Sequence, residues 1–280
     1  MSACVRNVIA DSAVVLLVQK IQERQDRLLD HALNVCVLSI SLGKFLGLLE
    51  SELHNLGIYV LLHDLGKVKL SREVLDSQGA FTEEQFNVFQ QHAVYGRNIL
   101  SSAKNLYHGA VDVAYSHHEQ MDGGGYPRKL KASGVSQFAR IVAICDSYET
   151  LTSSLTIHRA LPSTVALKQL LAGRGSLYDG DLVDQFQKMI GLYPLGTIVE
   201  LLNGCVGIVM TKNYRYQYLP RIIIVLDEKK EKTKQRVIDL AKTMRGQLDN
   251  AYLVHAACID GAYRVYLRDH REQGLVIQSF

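Results

Sequence analysis

From the start of the chain to about residue 193, apolar positions recur at three- and four-residue intervals; beyond Pro194 they run together or alternate. Ala32, Leu33, Val35, Cys36, Leu38, Ser39, Leu42, Phe45, Leu46 and Leu49 form one such stripe and predict a long helix behind His31. Residues 55–64 are almost wholly apolar and predict a second, buried helix, with Gly66 as its stop. Thr82 followed by Gln85 is a capping box that opens a third helix, to about Ser101. Residues 111–119 and 138–153 predict two more. Between them, residues 120–137 carry Gly123, Gly124, Gly125, Pro127 and Gly134 and must be a loop.

The second texture is β-prone. Residues 197–202 and 205–210 read as strands joined by Asn203-Gly204, a type I′ hairpin signal. Residues 221–226, 251–257 and 263–267 also read as strands, and residues 233–244 as one amphipathic helix. The alternating charges of Glu228-Lys229-Lys230-Glu231-Lys232 read as a solvated approach to that helix. The fold class is therefore mainly α, a helical bundle with a small C-terminal antiparallel α+β domain. The expected boundaries are 1–26 for an N-terminal helical segment, 27–196 for the helical domain and 197–280 for a β-rich domain without a constellation of chemistry.

Composition narrows the partners. The 280 residues are 48% hydrophobic and 21% charged, ordinary for a soluble globular protein of one or two domains. A net charge of +3 is too small to argue for a nucleic-acid polymer or a membrane surface. No apolar run approaches the roughly 20 residues a bilayer needs, and Asp11 inside the first apolar stretch argues against a signal peptide. The five cysteines are scattered without a CxxC pair, which predicts reduced thiols rather than a disulfide framework or a thiolate metal site.

The histidines carry the chemistry. His63-Asp64 closes the apolar helix, and an ionisable pair there needs a partner. Asp146 poses the same problem inside Arg140-Ile141-Val142-Ala143-Ile144-Cys145-Asp146. His92 lies on a face with Val88, Phe89, Gly96 and Ile99, a position that also suits a core histidine. His117 and His118 are neighbours, about 100° apart on a helix, and suit a cluster approached from a helix end. With His31, the set is five imidazoles and two carboxylates on five helices, a donor mix that suits iron, manganese or zinc. Seven ligands exceed one ion's need, and a hydrolytic pair of ions ~3.5–4 Å apart uses a bridging carboxylate. Two readings follow: a helical di-metal hydrolase, or a helix bundle with incidental histidines.

The order of these motifs is recognisable. His31, His63-Asp64-Leu65-Gly66-Lys67, His92, His117-His118-Glu119-Gln120-Met121-Asp122-Gly123-Gly124-Gly125-Tyr126-Pro127 and Asp146 together resemble the HD-GYP subgroup of HD-domain phosphohydrolases, over about residues 27–196. The resemblance implies an HD-type bundle and a cytoplasmic, metal-dependent phosphodiesterase that opens cyclic di-GMP to pGpG and in some members GMP. It implies one iron or manganese ion on His31, His63, Asp64 and Asp146 and a second on Asp64, His92, His117 and His118. Asp64 would bridge them and a hydroxide between them would be the nucleophile. Lys67 would face the phosphate. Glu119 and Asp122 would orient imidazole N–H groups and the loop. Gly125-Tyr126-Pro127 would form a rigid exposed loop that contacts substrate or a GGDEF-domain protein, with a purely structural Tyr126 as the alternative.

Three departures from the family pattern matter. Where some members place a Glu for a third metal, one turn before His31, this chain has Arg27, which argues for two ions and offers a fork for a substrate phosphate. After Asp146, Leu155 and His158 stand where the family has arginines, leaving Arg159 as a partial substitute. The loop reads Gly123-Gly124-Gly125 where a threonine is common at the middle position. Rival readings are a weakly active cyclic-dinucleotide sensor or interaction module, and a phosphohydrolase for another nucleotide. The apolar segment 8–21 offers a surface for pairing helices in a homodimer.

Overall fold

The computed structural model describes residues 26–77, 81–102, 108–153, 160–213, 215–272 and 275. The N-terminal segment with its pairing stretch 8–21, and Leu155, His158 and Arg159, lie outside the described residues. By internal contacts the chain divides into two units. The first runs to Ala160 and takes in Gln169–Met189; the second holds Leu161–Lys168 and the chain from Ile190.

The first unit is helical. Helix α1 (Asp26–Phe45) buries Ala32, Val35, Cys36, Ser39 and Leu42 of the predicted stripe, with Ile40, against α2 (Glu50–Leu62) and α6 (Gln137–Thr152), while predicted Phe45 and Leu49 are exposed. It ends at Phe45 rather than continuing to Leu49, because Gly47 turns the chain at φ +82°. By length and composition, Arg27–Phe45 would pass for a membrane span, against the expectation of no such run. The packed stripe instead gives its apolar character a place inside the bundle. Helix α2 is buried continuously from Leu56 to Leu62, and α1 and α5 (His108–Ser116) pack against it. Helix α4 (Glu83–Ser102) opens on the predicted capping box: Thr82 Oγ1 accepts from the Gln85 N–H at 3.2 Å and Gln85 Oε1 from the Thr82 N–H at 3.0 Å. Short α3 (Arg72–Leu75) precedes it; α7 (Ser163–Ala172) and α8 (Gly180–Ile190) follow the bundle's core helices.

Gly66 does not stop α2 as a left-handed cap. It lies in a 3₁₀ turn, Leu65–Lys69, pressed against α4, where a Cβ would stand 1.9 Å from the His92 carbonyl oxygen and 2.4 Å from the Gly96 nitrogen. The residue is glycine because two backbones meet there.

The second unit is an antiparallel five-stranded sheet of order β4-β3-β2-β1-β5, from β1 (Ile198–Leu201), β2 (Val206–Thr211), β3 (Arg221–Leu226), β4 (Lys232–Asp239) and β5 (Val254–Cys258). Both faces are buried. Val199, Leu201, Val209, Ile222 and Ile224 pack on one side, Ile198, Val206, Ile208, Ile223 and Val225 on the other, which is why β3 reads as a continuous apolar run.

Three expectations are corrected here. Residues 233–244 are not a helix: Val237 and Ile238 pair with Ile223 and Ile222 in edge strand β4, and Asp239 then caps a 3₁₀ stretch, Leu240–Arg245. The polar, exposed residues of an edge strand imitated a solvated helix face. Residues 263–267 are not a strand, since Tyr263 and Arg264 adopt φ +55° and +61° and α9 (Leu267–Glu272) begins at once. The β1–β2 hairpin is not type I′. Only Gly204 takes positive φ, at +86°, and its N–H reaches the Leu201 carbonyl, giving a three-residue loop with glycine at the left-handed position.

The Gly66 contact yields a test. Gly66→Ala is expected to cost about 1–3 kcal/mol in denaturant unfolding, as overpacking does. Gly134→Ala, whose added Cβ would meet nothing closer than 3.5 Å, should stay within about 0.5 kcal/mol of the parent.

Candidate metal centre

Five helices of the first unit deliver their polar groups to one point. His31 comes from α1, His63 and Asp64 from the turn after α2, His92 from α4, His117 and His118 from just past the end of α5, and Asp146 from α6. Helix α5 stops at Ser116, three residues before the predicted end, so the adjacent imidazoles leave the helix together. His31, His63, Asp64, His92, His117 and Asp146 are all buried.

Asp64 stands at the middle. Its Oδ2 lies 3.6 Å from His31 Nε2 and 3.4 Å from His63 Nε2, and its Oδ1 lies 3.5 Å from His92 Nε2 and 3.7 Å from His117 Nε2. Asp146 Oδ1 is 3.0 Å from His31 Nε2, a contact without hydrogen-bond geometry, and 3.9 Å from His63 Nε2. Lys67 donates to Asp64 Oδ2 and lies over the Phe89 ring.

The far nitrogens are tied down. His63 Nδ1 pairs with the Val60 carbonyl (2.6 Å), His92 Nδ1 with that of Phe89 (2.6 Å) and His117 Nδ1 with that of Val113 (3.0 Å). Those bonds require Nδ1 to be protonated, which leaves each Nε2 lone pair facing inward. The Nε2 atoms of all five histidines and Asp64 Oδ1 are buried with no hydrogen-bond partner. Unpartnered polar atoms buried at this density are costly in a folded protein, and bound cations would satisfy them. Ligand atoms of Asp64, His92, His117 and His118 lie within 4.8 Å of one another, as do those of His31, His63 and Asp64, and of His63, His117 and Asp146. The residues therefore fit divalent metal.

Electrostatics follow from burial and the carboxylates. Burial would lower His31, but Asp146 and Glu149 outweigh it and lift its pKa to about 10. Burial holds His63 near 4 and His92 near 3 against the pull of Asp64. It also pushes His118 down, helped by His117 and His92. Burial opposes ionisation of Asp64 and Asp146, yet Lys67 and His63 for the first, and His31 for the second, hold both below the usual carboxylate range.

Other predicted residues fall differently. Among the described residues, neither Glu119 nor Asp122 hydrogen-bonds an imidazole. Buried Glu119 accepts the Arg128 and Leu130 N–H groups at 2.7 and 2.8 Å, and Asp122 accepts the Gly124 N–H at 2.8 Å, so both shape the loop alone. The Gly125-Tyr126-Pro127 stretch is not an exposed loop: Gly125 is buried, Tyr126 and Pro127 half-buried, and the Tyr126 ring stacks on His118 at 4.7 Å and 26°. Arg27 is exposed on α1. Sequence reasoning missed Glu149, a buried carboxylate on α6 paired with His31 Nδ1. It carries the same signal as Asp146, an acidic residue three positions on in the same apolar helix.

A model of the HD domain family matches residues 7–182. The chain is 31% identical over 220 residues to the cyclic di-GMP phosphodiesterase PA4108 of Pseudomonas aeruginosa, covering 78% of this chain and 52% of that protein. It is 38% identical over 141 residues to the cyclic di-GMP phosphodiesterase response regulator RpfG of Xanthomonas campestris, covering 50% and 37%. The chain thus spans about half or less of the length of these curated relatives. Among solved structures it resembles Bd1817, a HDG"Y"P protein from Bdellovibrio bacteriovorus, with a TM-score of 0.53 and 18% identity over 67% of this chain and 61% of that one, a likeness of fold.

The shifts predict a pH profile for metal-free protein. An unfolded imidazole titrates near 6.5. His63 and His92 sit below that, so as pH falls from 6.5 toward 4 the unfolded chain takes up protons first and stability drops. His31 sits above it; its contribution is complete below pH 6.5 and is lost as pH rises toward 10. Thermal unfolding in chelator should show a maximum near pH 6.5 with a fall on both sides; a steady rise from pH 4 to 10 would contradict the assignment.

Proposed function

The chain belongs to the HD domain family, and from that premise we propose that it is a cyclic di-GMP phosphodiesterase of the HD-GYP type, working with two divalent ions on either side of Asp64. The observation that carries this reading is the division of the Asp64 carboxylate, one oxygen toward His31 and His63, the other toward His92 and His117. On it, His31, His63, Asp64 and Asp146 would hold one ion, and Asp64, His92, His117 and His118 the other. Nitrogen and carboxylate donors without thiolate support iron or manganese. Arg27, one turn before His31, supports two ions rather than three. Bound ions would polarise the phosphodiester and make a water nucleophilic near neutral pH.

The chain's own residues do the rest. Carbonyls of Val60, Phe89 and Val113 fix the tautomers of three imidazoles and so present their Nε2 atoms without a reorientation step. Lys67, held on Asp64, supplies a point charge for the negative charge that develops on the phosphoryl oxygens. Tyr126 covers His118, which supports a positioning role for its ring over contact with a GGDEF-domain partner. A cytoplasmic setting accords with the lack of any disulfide among Cys36, Cys145, Cys205 and Cys258.

Protein loaded anaerobically with iron or manganese is expected to convert cyclic di-GMP to pGpG, followed by chromatography. Dialysis against chelator should abolish turnover and readdition of the metal restore it. Asp64→Ala should fall to background, and Lys67→Ala should lose on the order of 10²–10³ in kcat. Two bound ions with saturable cyclic di-GMP binding but no product would sink the enzyme reading in favour of a sensor. Faster opening of a mixed cyclic dinucleotide would move the substrate assignment.

A further inference from the structure

The imidazoles of the centre are not held alike. His63, His92 and His117 each give Nδ1 to a neutral backbone carbonyl of their own helix. His31 Nδ1 instead meets the Glu149 carboxylate, which comes from α6, 118 residues away in sequence. Glu149 is only 4% exposed, and among the described residues its one ion-pair partner is His31. Its other oxygen accepts from Asn34 Nδ2 at 3.0 Å, and Asn34 lies one turn beyond His31 on α1. The carboxylate is thus clamped at both oxygens by a single helix, with its charge directed at one ring nitrogen.

A buried anion beside Nδ1 does two things that a carbonyl does less well. It holds a proton on Nδ1, so that Nε2 is the nitrogen left to bind metal, and it raises the donor strength of the Nε2 lone pair. We propose that Glu149 is a positioning residue that makes the two halves of the centre unequal, strengthening metal binding at the His31–His63 half without acting on the His92–His117–His118 half. The inference rests on the two-metal reading of the site, and Asn34 enters as the residue that holds Glu149 in place.

The test is metal binding, with no need for turnover. Parent protein, Glu149→Gln and Asn34→Ala would be titrated with Zn²⁺ or Mn²⁺ against a chromophoric chelator, and stoichiometry read by elemental analysis. Glu149→Gln keeps shape and an acceptor oxygen while removing the charge. The expected result is two ions in the parent and selective weakening of one of them by about 10–100-fold in the variant, with the other unchanged. Asn34→Ala, at an exposed position, should weaken the same ion by a smaller factor and serves if Glu149→Gln fails to fold. In zinc-loaded protein, the ¹⁵N–¹H correlation of His31 Nδ1 should move in Glu149→Gln while those of His63, His92 and His117 stay. Parent protein that binds fewer than two ions defeats the two-metal reading itself. Two ions in the parent with both affinities unchanged, or both loosened equally, in the variants overturns the role of Glu149 alone.

Discussion

A carboxylate taken out of water costs several kcal/mol unless charge and hydrogen bonds are rebuilt around it, and Asp64 sits just past a helix buried without a break from Leu56 to Leu62. Everything near it can be read as that compensation. Lys67 reaches back one turn to Oδ2. Four imidazoles from four elements turn their Nε2 atoms toward its two oxygens. Yet His63, His92 and His117 are themselves committed to donating through Nδ1, so they face Asp64 as acceptors facing an acceptor. The cluster is poorly satisfied by its own members, and this frustration is what a cation relieves. A fold that only needed to bury five histidines would have paired them.

Placing the four elements around one carboxylate demands close backbone approach. The turn after α2 must touch α4 for His92 to reach Asp64, and Gly66 against His92 and Gly96 is where this happens. Because α2 is buried over its last seven residues, it cannot shift to make room. The site's precision therefore lives in helix packing, with the glycine-rich loop closing one side through Glu119 and the stacked Tyr126 ring.

The site was largely legible in the sequence because burying an ionisable side chain is expensive, so His63, Asp64 and Asp146 inside apolar runs announce themselves. Glu149 gave the same signal three residues from Asp146 but has the look of a helix's solvated face. Glu119 and Asp122 were recognised as supporting residues for the loop and for imidazole N–H groups; the loop contacts are made, and nothing in a linear motif distinguishes an imidazole N–H from a backbone one. In the second unit, β2 and β3 were readable from continuous apolar runs. Edge strand β4 was not: its exposed Lys232, Gln235 and Arg236 obey no period of two, and only pairing with β3 makes it a strand. The hairpin turn failed for a related reason, as Asn-Gly specifies a positive φ at glycine but leaves the loop length to the strands' register.

Charge balance gives the proposed reaction its direction. Two divalent ions with Lys67 would bring more positive charge into the centre than Asp64, Asp146 and Glu149 together remove, leaving an excess that a buried site cannot delocalise into solvent. A cyclic dinucleotide carries two phosphodiester charges of the opposite sign, so its entry would relieve that imbalance. On the proposed reading the scarcity of carboxylates is functional: imidazoles would supply coordination without cancelling charge, and the uncancelled charge would attract the anion and then stabilise the additional charge on its phosphoryl oxygens. Glu149 fits this economy because it stands behind His31 rather than among the ligand atoms. It strengthens one donor through the ring, yet keeps its own charge one imidazole farther from the phosphate than Asp64 or Asp146.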